Sequence, residues 1–208
     1  MEPVEVRVAA ADSVDINELA ALAARTFPLA CPQSVTAENI ASFVDAHLSV
    51  ARFGEYLADP QRLILTATQA NRVVGYAMLV SGVGDDPDVA RAVNIRPAVE
   101  LSKIYVSPDN HGTGVATALM GAALNAAAES GASCVWLGVN QNNLRAQRFY
   151  SKHDFCFAGT RTFQLGARRE KDYVMVRQFP RGQRRSAPAA GTWPANTFSG
   201  SRRPVCPD

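Results

Sequence analysis

The chain has few of the side chains that hold metals or cross-links: 4 cysteines and 3 histidines in 208 residues. Cys31, Cys134, Cys156 and Cys206 form no CxxC pair, and His47, His111 and His153 show no ligand spacing, so no metal site is expected. Cys134 and Cys156 fall in apolar strand patterns and read as small core residues. No long apolar run and no export signal opens the chain, so no membrane segment is expected and the cytoplasm is the expected compartment. Two nucleotide motifs are missing as well. The G-x-G-x-x-G fingerprint fails because Thr117 stands where its third glycine belongs, and no Gly-Lys-Ser/Thr occurs. No internal repeat of useful period is present.

Charge of one sign is also lacking. The formal net charge is +2, but residues 180–208 carry Arg181, Arg184, Arg185, Arg202 and Arg203 against Asp208 alone. Taking these five basic and one acidic groups from totals of 21 and 19 leaves 16 basic and 18 acidic residues. The remainder, residues 1–179, has no electrostatic reason to bind nucleic acid. The segment 180–208 is rich in Pro, Ser, Gly, Ala and Arg without hydrophobic period. Its few apolar residues, Trp193 and Phe198, bury too little area to offset chain entropy, so it reads as a disordered tail. The whole chain, with 47% apolar and 19% charged residues, has an ordinary globular balance, and 1–179 reads as one domain with a full core.

Along that domain, Val4 to Ala10 alternates as a strand. Asp12 or Ser13 can cap a helix through Ile16, Leu19 and Leu22 to Phe27, and Thr36 with Asn39, or Ser34, can open a second helix through Ile40, Phe43 and Val44. A short helix is predicted over 50–58, then a hairpin of strands 62–68 and 72–81 turned at 69–71. Residues 82–97, with Asp85-Asp86-x-Asp88, read as an exposed loop. Strand 98–107, helix 113–130, strand 133–140, helix 143–153 and strands 155–161 and 171–177 follow. The order predicts an α/β (α+β) domain, a mixed sheet of about seven strands flanked by helices on both faces.

The most informative stretch is Glu100-Leu-Ser-Lys-Ile-Tyr-Val-Ser-Pro-Asp-Asn-His-Gly-Thr-Gly-Val-Ala-Thr-Ala-Leu119, a strand, a glycine turn and a helix start. Gly112 and Gly114 let backbone approach a ligand, and the first amides of the helix have no partner inside it, so the turn is suited to a pyrophosphate. A purely structural turn carries the same glycines. A second strand, turn and helix unit follows at Cys134-Val-Trp-Leu-Gly-Val-Asn-Gln-Asn-Asn-Leu-Arg-Ala-Gln-Arg-Phe-Tyr150.

These two units, with Asn143-x-x-Ala146-x-x-Phe149-Tyr150-x-Lys152, resemble the GNAT superfamily of N-acetyltransferases. Phe27, Glu38-Asn39-Ile40, Leu57-Ala58-Asp59-Pro60, Val74-Gly75-Tyr76, Trp136-Leu-Gly-Val139, Phe163-Gln-Leu-Gly166 and Asp172-Tyr-Val-Met175 extend the likeness towards bacterial spermidine and spermine acetyltransferases. His111 departs from the Arg or Gln usual in that turn, and Asp154 stands where glycine is common. The resemblance implies acetyl-CoA as cofactor and a small amine, a polyamine, as acceptor; small members often form homodimers. It implies that Ile104, Tyr105 and Val106 pair with the pantetheine arm along a splayed strand edge, and that amides of His111, Gly112, Thr113, Gly114, Val115 and Ala116 hold the pyrophosphate. Asn143 is expected on the arm or as a helix cap, with Phe149 beside it.

The resemblance also implies Tyr150 as the acid for the leaving thiolate and Glu100 as the base for the amine. The alternatives are a tyrosine packed at a helix end and a carboxylate that only binds substrate. Strand alternation places Glu100 on one face with Ser102 and Ile104. Glu38, Asp45, Glu55 and Asp59 are solvated acids that could attract a polycation. A protein lysine or N terminus is the alternative acceptor, and a non-catalytic acyl-CoA sensor the alternative of another class.

Overall fold

The computed structural model describes residues 3–32, 34–165, 168–180 and 193. Seven strands, β1 (Glu5–Val8), β2 (Arg62–Gln69), β3 (Arg72–Ser81), β4 (Ala98–Val106), β5 (Cys134–Asn140), β6 (Cys156–Leu165) and β7 (Arg168–Gln178), form one sheet in the order β1-β2-β3-β4-β5-β7-β6. Every neighbouring pair is antiparallel except β4 with β5. The mixed sheet expected from the sequence is present. Among the described residues, six α-helices surround it: α1 (Ile16–Thr26), α2 (Ala37–Leu48), α3 (Val50–Ala58), α4 (Pro87–Ala92), α5 (Val115–Glu129) and α6 (Leu144–Ser151).

The helix starts follow capping chemistry. Asp15, not Asp12 or Ser13, caps α1 by accepting from the Asn17 and Glu18 amides; the Ser13 hydroxyl instead donates to Ala10. Thr36 caps α2, Ser49 caps α3 and Asn143 caps α6. The hairpin between β2 and β3 turns through Ala70 and Asn71, both at positive φ. The segment 82–97 is not wholly loop. Asp86 accepts from the amides of Asp88 and Val89, Pro87 follows at the first helical position, and α4 results. It buries Val89, with Val93 just beyond, against Ala98, Cys134, Trp136 and Val174.

The core lies in two layers. On one face α5 packs Leu119, Met120, Ala123 and Ala127 against Leu65, Ala77, Leu79, Val135 and Leu137, and the side chains of Phe149 and Tyr150 from α6 lie against the same cluster. On the other face α1, α2 and α3 cover Ile64, Tyr76 and Met78. Cys134 is buried as expected, whereas Cys156 is only half-buried. Trp193, from the segment expected to be a tail, packs half-buried against the α5-side cluster. The rest of the tail reading, residues 181–192 and 194–208, lies outside the described residues, as does Gly166. Among the described residues, no helix is long and apolar enough to cross a membrane, and no group of three or more His, Cys, Asp or Glu is placed to hold a metal.

Phe53 is fully buried between α3 and the sheet, with ring centroids 5.9 Å from Tyr56 and 5.6 Å from Tyr76. Phe53→Ala removes a large side chain that its neighbours cannot replace. Denaturant unfolding is expected to show a loss of about 3–5 kcal/mol, and a loss below about 1 kcal/mol would mean that this layer repacks freely.

Candidate active site

The site exists because two strands part. β4 and β5 are paired only from Ala98↔Cys134 to Glu100↔Trp136. Beyond that point β4 stays with β3 as far as Val106↔Gly75, and β5 stays with β7 as far as Asn140↔Asp172. A bulge starts the divergence: Leu79 pairs with Leu101 but Met78 with Lys103, leaving Ser102 as the extra residue. Bulges bend the strand that carries them and raise its twist. The gap is a cleft of about 450 Å³.

The bulge corrects the expected facing of β4. Two-residue alternation put Glu100 with Ser102 and Ile104, but the extra residue exchanges the faces beyond it. Ile104 packs in the α5-side cluster while Tyr105 packs in the opposite one. Lys103 and Tyr105 therefore share the face of Glu100.

Of the residues singled out from the sequence, Glu100, Ile104, Tyr105, Val106, His111, Ala116, Asn143, Phe149 and Tyr150 line this one cleft. Gly112, Thr113, Gly114 and Val115 do not line it with side chains; Val115 is buried in the core. Gly112 and Gly114 stand at φ +81° and +92°, a conformation that favours glycine, and a Cβ on either meets nothing within 4 Å. The space above the turn is open. No side chain caps α5, so the amides of its first turn have no intrahelical partner.

Two of the amides expected to face a pyrophosphate are already engaged. His111 N donates to Pro108 O at 3.0 Å and Thr113 N to Asn110 O at 3.4 Å. The His111 ring lies with Nε2 3.1 Å from the Val106 carbonyl oxygen. Among the described residues, no backbone carbonyl outside the helix accepts from the amides of Gly112, Gly114, Val115 and Ala116. Asn143 accepts from the Ala146 amide at 3.0 Å while lining the cleft, so its cap geometry and its place in the site coexist.

Tyr150 packs between Phe149 and Phe155, with centroids at 5.7 and 6.0 Å, and burial pushes its hydroxyl up to about 12. It keeps its proton at neutral pH. Burial also raises Glu100, opposed in turn by Arg161, Lys103 and Arg62. Glu38, Asp45, Glu55 and Asp59 do not line the cleft. Asp59 pairs with Arg62 at 2.9 Å, and Glu55 pairs with Arg52. Among the described residues, the acids in the cleft are Glu100, Glu170 and Asp172.

Sequence reasoning gave no site role to Lys103, Arg145, Arg161, Glu170 or Asp172, all of which line the cleft. Arg161 was placed at a strand end and Lys103 and Asp172 inside strands, with no local mark of their meeting. The readable signal was Gly138, since a glycine inside a strand marks a close approach of another group. That group is the Arg161 guanidinium.

The profile of the acetyltransferase (GNAT) family matches residues 19–155, and the chain belongs to that family. An uncharacterised N-acetyltransferase of Mycobacterium tuberculosis H37Rv is 62% identical over 164 residues, covering 79% of this chain and 97% of the relative. Among solved structures, the Thermoplasma acidophilum PaiA N-acetyltransferase in complex with coenzyme A superposes with a TM-score of 0.65 at 17% identity, over 85% of this chain and 99% of that one. The Escherichia coli ribosomal-protein-S18-alanine N-acetyltransferase gives a TM-score of 0.58 at 17% identity, over 84% and 92% of the two chains. At these identities the likeness is one of fold.

Burial lowers Lys103 from 10.5 to about 8, with Arg62 and Arg52 acting in the same direction and Glu100 opposing. Between those two pH values the unfolded chain binds a proton that the folded chain lacks, so the Lys103 contribution to stability rises with pH through that window. Lys103→Met is expected to be more stable than the parent at neutral pH, with the gap closing as pH climbs through the window in denaturant titrations. A gap that does not change with pH would rule out a titrating buried amine.

Proposed function

We propose that the chain transfers the acetyl group of acetyl-CoA to a primary amine by direct attack in a ternary complex. One observation carries this reading: a single cleft brings an unpaired strand edge, a protonated tyrosine and a half-buried carboxylate together, with His111 and Ala116, which flank the glycine turn, also in its lining. The turn fits the cofactor, because its glycines leave open the space that side chains would occupy.

In this reading the amides of Gly112, Gly114, Val115 and Ala116 hold the pyrophosphate. The β4 edge at Ile104, Tyr105 and Val106 holds the pantetheine arm, with Asn143 and Phe149 on the opposite wall. Bound acetyl-CoA supplies an acyl group already activated as a thioester. One β4 amide polarises the carbonyl. Glu100 removes the proton of the acceptor amine, directly or through water, and burial favours a proton-accepting role because it raises the basicity of the carboxylate. The Tyr150 hydroxyl donates its proton to the departing sulfur.

The acceptor reading follows the resemblance, a small polyamine such as spermidine or spermine, with Glu100, Glu170 and Asp172 available to an ammonium group. A specific observation supports a second reading. Lys103, Arg145 and Arg161 line the same cleft and offset those acids, which suits an acceptor of low charge such as a protein lysine or N terminus.

Release of free thiol from acetyl-CoA tests both, with spermidine, spermine, a lysine peptide and no acceptor compared. Release with polyamines supports the first reading and release with peptide alone the second. Tight acetyl-CoA binding without release for any amine would point to a sensor. Tyr150→Phe is expected to lower turnover roughly 100-fold with acetyl-CoA affinity unchanged; turnover equal to the parent's would remove Tyr150 from the chemistry.

A further inference from the structure

Arg161 starts on β6, directly opposite Asp172 on β7, yet its guanidinium ends over β5. Its Cζ lies 5.5 Å from the Trp136 ring centroid, and a Cβ added to Gly138 would stand 2.2 Å from its Nη2 and 2.5 Å from its Cζ. Trp136 is itself fixed, since its indole Nε1 donates to the Gly82 carbonyl at 2.9 Å. The guanidinium is thus flanked by an aromatic ring and a stretch of backbone that only glycine leaves bare. From there Nη1 reaches to 3.9 Å from Glu100 Oε1, and Nε lies 3.6 Å from Asp172 Oδ2. The Arg161 side chain is 17% exposed and that of Asp172 8%. Glu100 is the last β4 residue paired with β5, so the guanidinium sits at the apex of the fork.

Resting on the acyl-transfer reading of Glu100, we propose that Arg161 is a positioning residue of the reaction: seated on Trp136 and Gly138 and anchored by Asp172, it holds the Glu100 carboxylate in place and charged where the strands part. Both separations exceed ordinary hydrogen-bond length, so the hold is chiefly electrostatic and acts through a partly desolvated space. Three cations face Glu100: Arg161 from β6, Lys103 from its own strand and Arg62 from β2. Arg161 opposes the effect of burial most strongly. Asp172, on the far side of the guanidinium, is likewise raised by burial and lowered by Arg161.

Removing the cation leaves burial less opposed, so Glu100 keeps its proton to higher pH. A base must be unprotonated to act, and the acidic limb of kcat/KM therefore moves to higher pH with it.

The test is a titration of Glu100 in the intact protein by NMR of 13Cδ-labelled glutamate, with the resonance assigned through Glu100→Gln. In Arg161→Gln the midpoint is expected to rise by about one pH unit, and in Arg161→Lys to return most of the way. Gly138→Ala, which keeps the charge but displaces the guanidinium, gives a second route should Arg161→Gln fold poorly, and is expected to raise the midpoint less. The acidic limb of kcat/KM should move by the same amount while KM for acetyl-CoA stays constant. A Glu100 midpoint unchanged in both Arg161→Gln and Gly138→Ala overturns the proposal. The titration needs no turnover, so an absence of thiol release by the unaltered protein with every amine sinks the transferase reading and the role in that reaction, while the hold of Arg161 on the Glu100 charge is still read separately.

Discussion

The parting of β4 from β5 is the constraint on which the rest of the site depends. Two adjacent strands in the middle of a sheet are expected to stay paired, and each backbone group left unpaired in a buried place costs about 1–3 kcal/mol. The fold tolerates the gap because each strand keeps a full partner on its other side, β3 for β4 and β7 for β5. α5 braces the β3 and β4 side from one face, and α6 contributes Phe149 and Tyr150 to the same cluster. The sheet is in effect two sheets joined by three residue pairs. A ligand that brings its own amides can restore on binding part of what the gap forgoes.

The bulge at Ser102 does more than start the divergence. By exchanging the faces beyond it, it puts Lys103 and Tyr105 on the side of Glu100, away from the α5-side core. The ring of Tyr56 then lies among three cations, with Arg62 Cζ at 4.7 Å, Arg52 Cζ at 5.4 Å and Lys103 Nζ at 5.7 Å from its centroid. Cation–π contacts offset part of the cost of crowding like charges. Lys103 still yields part of its proton affinity to this crowd and to burial. One inserted residue thus sets both the shape of the cleft and the balance of charge along its wall.

Much of this architecture was legible because it is local. Hydrophobic period located the seven strands and most of the helices, and Gly112 and Gly114 marked the turn below α5. Where the sequence misled, the determining interaction was not local. A single extra residue leaves the apolar pattern of β4 intact while reversing what lies beyond it, so Glu100 was paired with the wrong neighbours. Asp85-Asp86-x-Asp88 looked solvated, yet Asp86 and Pro87 begin α4, and Val89 is buried against residues from three strands. Arg161 belongs to the end strand of the sheet, and its long side chain crosses the intervening β7 to reach Gly138 on β5. No spacing along the chain encodes that reach. Gly138 alone hints at it, by lacking a side chain in a strand that otherwise buries large ones.

Ion-pair distances in this chain run opposite to their expected weight. The tight pairs, such as Arg72 with Glu18 at 2.6 Å and Arg7 with Glu5 at 2.6 Å, include at least one well-exposed partner, and pairs of that kind contribute about 0–1 kcal/mol. The loose pairs of Arg161, at 3.9 and 3.6 Å, join partners that are 8–22% exposed. There the interaction falls off more slowly and is less screened. A guanidinium suits this place better than an ammonium would. It can lie flat between Trp136 and the Gly138 backbone while presenting separate nitrogens to the carboxylates on either side. Under the proposed acyl transfer, the looseness would itself be useful. A carboxylate locked in short hydrogen bonds to arginine would be a poor acceptor for the proton of an incoming amine, whereas one held at 3.9 Å keeps its lone pairs available.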